Sequence, residues 1–384
     1  MDKIKVCHII TKLELGGAQI NTLYTVSHLD KDKFVPVLIT GTGGVQDAEA
    51  KEFIGVKIFF SSLIIRPIRP WVDFLAFLKI WRILIKERPA IVHTHSSKAG
   101  IIGRWAAYFA GIKLIVHTVH GFGFNEFQNP LVRKILILAE KITAKITSKL
   151  VVVTNEDIKK GIENGIGETS QYVLIRSGID TELYKNFSIN KEAKKRELEI
   201  SFSKKIIVSV MPFKVQKNPK DLIKAAKIVT DKYPESIFLI AGDGELRGEM
   251  ERLISSLDLE VKVKLIGWRR DIPEILAISD VFALTSLWEG LPRSILEAMC
   301  LKLPVVAYAV DGVKEVVKDG VTGFLVRPFD IENMASQILK LLNDEKSSKA
   351  LGQKGFESVT EEFDINFMVK KQEALYINII TNKR

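Results

Sequence analysis

The chain has 384 residues, is 47% hydrophobic and contains only 12 prolines with no low-complexity tract, which excludes a disordered or fibrous protein and, at roughly 150 residues per domain, predicts two globular domains. Two cysteines, Cys7 and Cys300, exclude a disulfide scaffold, and the first apolar run spans five residues, too short for a signal peptide or a membrane span, so a cytoplasmic location is expected. The net charge of +10 is uneven: residues 51–150 hold 16 basic and 5 acidic side chains, a bias that suits an anionic membrane surface or a phosphorylated substrate, whereas no recognition-helix, zinc-finger or RNP-type motif supports nucleic acid.

In chain order, KVCHII (5–10), FVPVLIT (34–40), VKIFF (56–60), AIVHTH (90–95), KLIVHTV (113–119), KLVVVT (149–154) and YVLI (172–175) read as strands separated by helical stretches. Continuous apolar strands alternating with helices predict a parallel sheet covered on both faces. Residues 183–204 are highly charged, and their first part lacks apolar periodicity; an inter-domain linker is placed at 186–204, closing a first domain at 1–185. The alternation restarts with IIVSV (206–210), SIFLIAG (236–242), VKLIG (263–267), DVFAL (280–284), PVVAY (304–308) and GFLV (323–326), predicting a second domain at 205–362. The fold class is therefore α/β, with two Rossmann-like domains facing across a cleft lined by the carboxyl ends of both sheets. Three helices follow Pro328, and the last of them, within 363–384, is expected to cross back to the first domain.

The stretch TSLWEGLPRSILEAM (285–299) sets Glu289 and Glu297 eight residues apart around a Gly-Leu-Pro step. Pro292 suits the first helical position, because its φ is fixed and its missing N–H would have had no partner there. The N–H groups of Gly290, Leu291, Arg293 and Ser294 would then make an anion seat at the helix N-terminus. Glu297 lies about 7.5 Å further along the axis, so the two carboxylates would flank a diphosphate and accept hydroxyl hydrogen bonds at either end. The bland alternative is a surface turn followed by an ordinary helix glutamate. Gly16 and Gly17, between the first strand and a helix, allow close backbone approach to a ligand or simply make a turn. Lys217 in KVQKNP could set an ammonium on a diphosphate and stabilise the charge that develops as it leaves.

Glu289 and Glu297 match the E-x7-E signature of the retaining, GT-B-fold family 4 glycosyltransferases. The chain also resembles that family at LELGGAQ (13–19), HTHSSKAGIIGR (93–104), HTVHGFGF (117–124), SGID (177–180), QKNP (216–219), AGDGE (241–245) and DGVTGFLV (319–326), nearly end to end. The resemblance implies transfer of a sugar from a nucleotide diphosphate sugar, most often a UDP-sugar, to a glycan or lipid-linked acceptor with retention, with no cofactor and no obligatory metal. It assigns Glu289 to the donor sugar's hydroxyls, Glu297 to the ribose, His120 to a place close to the donor sugar, and the Gly16-Gly17 loop to the donor phosphate or acceptor side. The sequence departs from the family at Pro212, where an Arg is usual five residues before Lys217; Lys214 is the alternative second cation. An epimerase of the same fold and an inactive sugar-nucleotide-binding partner subunit are the competing readings.

All six histidines fall within residues 8–120. A zinc site built from His93, His95 and either His117 or His120 is one reading, and buried structural histidines beside an active-site His120 the other. Two helical stretches carry basic stripes, Lys79, Arg82 and Lys86 with Trp71 and Leu75 at the margin, and Lys134, Lys141 and Lys145. Residues 70–149 thus offer a peripheral surface for an anionic membrane, or two ordinary amphipathic helices with solvated faces.

Overall fold

The computed structural model describes residues 3–382. It divides into one unit made of residues 1–178 and 364–384 and a second made of residues 179–363.

The first unit is built on a seven-stranded parallel sheet: β1 (Ile4–Ile9), β2 (Phe34–Gly41), β3 (Lys57–Ser61), β4 (Ile91–His95), β5 (Leu114–Val119), β6 (Lys149–Val152) and β7 (Tyr172–Leu174), in the order β3-β2-β1-β4-β5-β6-β7. The β-branched runs form strands because both faces are buried. On one face Cys7, Ile9, Val92 and Ile115 pack under the helices Pro70–Glu87 and Ser97–Phe109. On the other, Val6, Ile91 and Val116 meet Ile365, Met368, Val369, Leu375, Tyr376 and Ile379 of the C-terminal helix Ile365–Thr381. That helix is started by Asp364, whose side chain accepts from the N–H groups of Asn366 and Phe367. Each of its buried apolar side chains contributes about 1.5–3 kcal/mol, so the return of the chain is part of the first unit's core. Gly178, where the chain leaves, is glycine for a steric reason: a Cβ there would lie 2.3 Å from the Cα of Ile365.

The second unit holds six parallel strands, β8 (Lys205–Val210), β9 (Ser236–Ala241), β10 (Val263–Leu265), β11 (Val281–Leu284), β12 (Val305–Tyr308) and β13 (Gly323–Val326), in the order β10-β9-β8-β11-β12-β13. The order reverses between β8 and β11, and ligands of such sheets bind beyond the carboxyl ends at that reversal.

Residues 186–204 are not a free linker. They contain the helix Lys191–Glu197, and the chain passes into the second unit earlier, after Gly178. The charge that suggested a linker is used internally: Lys194 is 4% exposed and its ammonium meets Glu197 (2.8 Å), Asp271 (2.5 Å) and Glu274 (2.7 Å).

The first unit also presents a continuous apolar face. On Pro70–Glu87, Trp71 is 84% exposed, followed by Phe74 and Leu75. Rings run from Phe74 to Phe77 (6.4 Å between centroids), Phe109 (5.9 Å) and Trp105 (6.1 Å), and Trp105 donates to Thr143 of the helix Pro130–Ala144. On that last helix Leu131, Ile135, Leu138 and Ile142 form an exposed stripe at helical spacing beside exposed Lys134 and Lys141. No helix among the described residues is long and apolar enough to cross a membrane.

Candidate functional site

In the second unit, three loops that follow β8, β11 and β12 converge at the reversal of strand order. The β8 loop turns through a short 3-10 helix, Val215–Lys217, into the helix Pro219–Lys232, with Asn218 between them in the left-handed region at φ 44°. The β11 loop is sewn to it: Leu287 N–H donates to the Gln216 carbonyl (2.8 Å), Gln216 Nε2 donates to the Trp288 carbonyl (2.9 Å), and Thr285 Oγ1 donates to the Asn218 carbonyl (2.9 Å). This stitching sets Lys217 against Glu289, whose Oε1 accepts from the Lys217 ammonium; the two side chains are 15% and 7% exposed. From the β12 loop, Asp311, at φ 27°, accepts the Glu289 N–H through Oδ2 at 3.1 Å. A non-glycine residue at positive φ stores strain that its surroundings must hold, as is common where a loop aims a polar group.

Pro292 is the N-cap rather than the first helical residue: its φ of −77° satisfies the ring, but its ψ of 93° is extended, and the helix runs Arg293–Cys300. Gly290, Leu291 and Pro292 are buried beneath this turn. Glu297 is one turn on, 3.7 Å from Arg293. Burial pushes its carboxyl above the usual range, while Arg293 and a hydrogen bond with Tyr184 pull the other way. Tyr184 is itself driven upward, by burial first and then by Glu297. The side chain of Arg293, of which only the N–H was expected to take part, and those of Tyr184 and Asp311 were not anticipated. Arg293 sits inside the E-x7-E segment four residues before Glu297, a spacing that announces a helical pair; the other two carry no local signal.

At Pro212 the chain passes close to β9: Met211 N–H donates to the Ala241 carbonyl and Phe213 N–H to the Asp243 carbonyl, both at 2.9 Å. Gly242, at φ 139°, permits this, since a Cβ there would meet the Met211 carbonyl at 1.9 Å. The Lys214 N–H turns back to the Pro212 carbonyl (2.9 Å), and Lys214 stands half-buried at the start of the 3-10 turn. Chemically, this cluster offers buried carboxylates that accept hydroxyl hydrogen bonds beside an ammonium and a guanidinium able to neutralise phosphate oxygens.

In the first unit, Gly16 is the N-cap of the helix Gly17–His28, with φ −153°. A side chain at Gly16 would meet only the end of Gln19, so the pair of glycines is not demanded by packing. The period-2 alternation of three adjacent strands decides where the histidines go. His8 is paired in register with His93, and the face that carries Val6, Ile91 and Val116 also carries His8, His93, His95, Thr118 and, just past the strand, His120. His117 points to the opposite face and bonds Thr94 Oγ1 at 2.9 Å, so it does not join His93 and His95. His8, absent from the expected set, takes that place: His8, His93 and His95 bring ring nitrogens within 4.8 Å of one another. Those nitrogens are engaged in neutral hydrogen bonds, and burial holds His8 at about 3 and drives His93 and His95 well below the usual imidazole range. A metal would have to displace these bonds. His120 is half-buried, 3.3 Å from His95 Nδ1 through Nε2.

Two Rossmann-like parallel sheets, the second with a cluster of charged loop residues at its reversal of strand order, define the GT-B fold class. Residues 15–183 match the glycosyltransferase family 4 profile and residues 190–358 that of glycosyl transferases group 1; the chain belongs to this glycosyltransferase family. It is 33% identical to UDP-Gal:alpha-D-GlcNAc-diphosphoundecaprenol alpha-1,3-galactosyltransferase of Escherichia coli, over 99% of this chain and 98% of that protein. It is 29% identical to N-acetyl-alpha-D-glucosaminyl L-malate synthase of Bacillus anthracis, over 82% and 81% of the two chains. Among solved structures, Anabaena HepE in complex with UDP and glucose has a TM-score of 0.85 at 20% identity, covering 98% of this chain and 100% of that one. The sucrose-phosphate synthase of Thermosynechococcus elongatus has a TM-score of 0.84 at 18% identity, covering 99% and 100%. At these identities the likeness establishes the fold.

Proposed function

We propose that the protein transfers a hexose from a UDP-sugar, with retention, to a sugar carried on a lipid diphosphate. The observation that carries the donor site is the buried Lys217–Glu289 pair, held by three loops at the strand-order reversal next to the Arg293–Cys300 helix. Lys217 neutralises the diphosphate as it departs, with Arg293 or Lys214 as the second cation in place of the family arginine missing at Pro212. Glu289 organises the donor sugar's hydroxyls and Glu297 the ribose; Gly290, Leu291 and Pro292 shape the floor between them. His120 and the Gly16-Gly17 loop are assigned to the sugar and to the phosphate or acceptor on the family likeness alone.

The acceptor hydroxyl attacks the anomeric carbon on the face from which the diphosphate leaves. The old C–O bond breaks with its electron pair going to UDP, and the departing oxygen takes the acceptor's proton. No protein nucleophile and no metal is required; the chain holds the reactants in register and stabilises the leaving charge.

The lipid acceptor is favoured by the 33% identical relative, whose acceptor is a diphosphoundecaprenol-linked sugar, and by the apolar face of Trp71, Phe74, Leu131, Ile135 and Leu138 flanked by exposed lysines. That face lies in an anionic bilayer surface, with lysines at headgroup level.

The test is incubation with radiolabelled UDP-hexoses and a synthetic N-acetylhexosamine on a polyprenyl diphosphate, followed by NMR of the product linkage. Label in the lipid phase with the donor's anomeric configuration is expected. Inverted product, epimerised donor, or no transfer from any donor to the lipid would overturn the reading.

A further inference from the structure

Four histidines of the first unit, together with Tyr376, form one run of hydrogen bonds that begins at His120 and ends at Thr118, with a side contact from Tyr376 Oη to Gln372 Oε1 (3.4 Å). His120 Nε2 meets His95 Nδ1 (3.3 Å), and His95 Nε2 meets His8 Nδ1 (3.0 Å). His8 Nε2 meets Tyr376 Oη (3.4 Å), Tyr376 Oη meets His93 Nδ1 (2.5 Å), and His93 Nε2 meets Thr118 Oγ1 (2.6 Å). Every member except His120 is at most 4% exposed. Burial keeps His8, His93 and His95 neutral. A neutral imidazole has one N–H and one lone pair, so the direction of any link dictates the next.

Two polarities are open, and His93 decides between them. Hydroxyl donors make shorter bonds than ring N–H donors, but His93 can accept only once. A phenol is the stronger acid, and its contact to His93 Nδ1 is far shorter than the one to Gln372 Oε1 (2.5 against 3.4 Å), so Tyr376 donates to Nδ1 and His93 Nε2–H donates to Thr118; a phenol proton on Gln372 instead would leave the same oxygen lone pairs facing His8. The phenol oxygen then accepts from His8 Nε2–H, His8 Nδ1 from His95 Nε2–H, and His95 Nδ1 from His120 Nε2–H. We propose that Tyr376, acting through His8 and His95, fixes the tautomer and ring orientation of His120, with the proton on Nε2 and the lone pair on Nδ1. His95 is the positioning residue in direct contact, and Tyr376 sets the direction of the whole run from the C-terminal helix.

The kinetic consequence rests on the proposed role of His120; the tautomer does not, and both are measured. The full-length protein is labelled with 15N-histidine and its ring nitrogens are assigned by two-bond proton correlation. Wild-type His8, His93, His95 and His120 should all show the Nε2–H pattern. Tyr376→Phe leaves the His8 Nε2–H facing a ring with no acceptor, so His8, His95 and His120 should flip together to Nδ1–H. With the lone pair of His120 lost, kcat should fall about tenfold while the donor KM stays within about twofold. His95→Leu should release His120 to average between tautomers with a similar loss of kcat. His95→Asn, whose amide oxygen stands near Nδ1, should recover most of it.

Overturning results are a wild-type His120 already averaged between tautomers, an unchanged His120 pattern in Tyr376→Phe, or about one zinc per chain held by these histidines in the purified protein. Full turnover by His120→Ala would instead end the proposed role of His120 in transfer, and the spectra would still decide the tautomer.

Discussion

Replacing Lys217 with methionine keeps the bulk of the side chain and removes its charge, leaving the Glu289 carboxylate 7% exposed without the cation that meets it. Breaking a buried pair from one side costs about 3–5 kcal/mol, because the remaining charge stays desolvated. With Lys217 itself 15% exposed, some water reaches the pair, and the low end, about 3 kcal/mol, is the better figure. For a unit of this size, each kcal/mol lowers the melting temperature by about 2–4 °C, so the transition of the second unit should move down by about 6–12 °C. Adding Glu289→Gln removes the stranded charge. The double variant should therefore recover most of the stability while remaining inactive, whereas Lys217→Met alone should lose about 10²–10³ in kcat as the departing diphosphate loses its ammonium. Urea unfolding followed by circular dichroism measures the first effect and transfer of radiolabel the second. A double variant no more stable than the single, or a single variant with turnover within about twofold of wild type, would refute the reasoning.

Glu289→Gln should lower kcat, because the proposed donor site sets it against the sugar in which positive charge develops, and Glu297→Gln should mainly raise the donor KM; equal and small effects in steady-state kinetics would count against the donor-site assignment. Burial raises the folded-state Glu297 carboxyl above its ordinary value, so its contribution to stability is present at low pH and is lost as pH rises through the folded pKa. Glu297→Gln, always neutral, should therefore melt above wild type near pH 8 and show no advantage near pH 4, by calorimetry at the two pH values. Transfer should continue in excess EDTA; loss that zinc or magnesium restores would move metal into the mechanism. The protein should float with anionic vesicles at low salt and dissociate as the Debye length falls from about 30 Å to about 3 Å. Leu131→Asn with Leu138→Asn should weaken that binding, and equal flotation with neutral vesicles would point to a soluble acceptor.

The thirteen strands among the described residues were legible because parallel strands buried on both faces spell themselves as largely apolar, β-branched runs. The segments that misled did so through partners remote in sequence. Lys194 reads as one more charge in a polar stretch, but Asp271 and Glu274, more than seventy residues away, turn that stretch into a packed helix of the second unit. His8 reads as an interruption in an apolar strand, and only the register of β1 on β4 sets it beside His93. In the zinc reading His117 was one of two candidates to join His93 and His95, yet one step along a strand reverses the face, so parity alone separates it from them. Pro292 was displaced by a single residue, since a fixed φ is compatible with both the cap and the first turn. Asp311, which receives the Glu289 N–H from a loop twenty-two residues on, had no local signature at all.

The return of the C-terminal helix to the first unit bears on how the protein is born. A ribosome releases the chain from its N-terminus, and domains fold in the order in which they are completed. Here the order of completion is inverted. The second unit is whole once residue 363 has emerged, whereas the first still lacks Ile365, Met368, Val369, Leu375, Tyr376 and Ile379. Until the helix Ile365–Thr381 leaves the exit tunnel, the sheet face that bears His8, His93 and His95 lacks the side chains that pack on it. A nascent chain stalled before residue 365 would thus carry a finished second unit and an open, apolar sheet, a natural substrate for chaperones and proteases. A stop codon just before that of Ile365 should be as damaging as one early in the coding sequence.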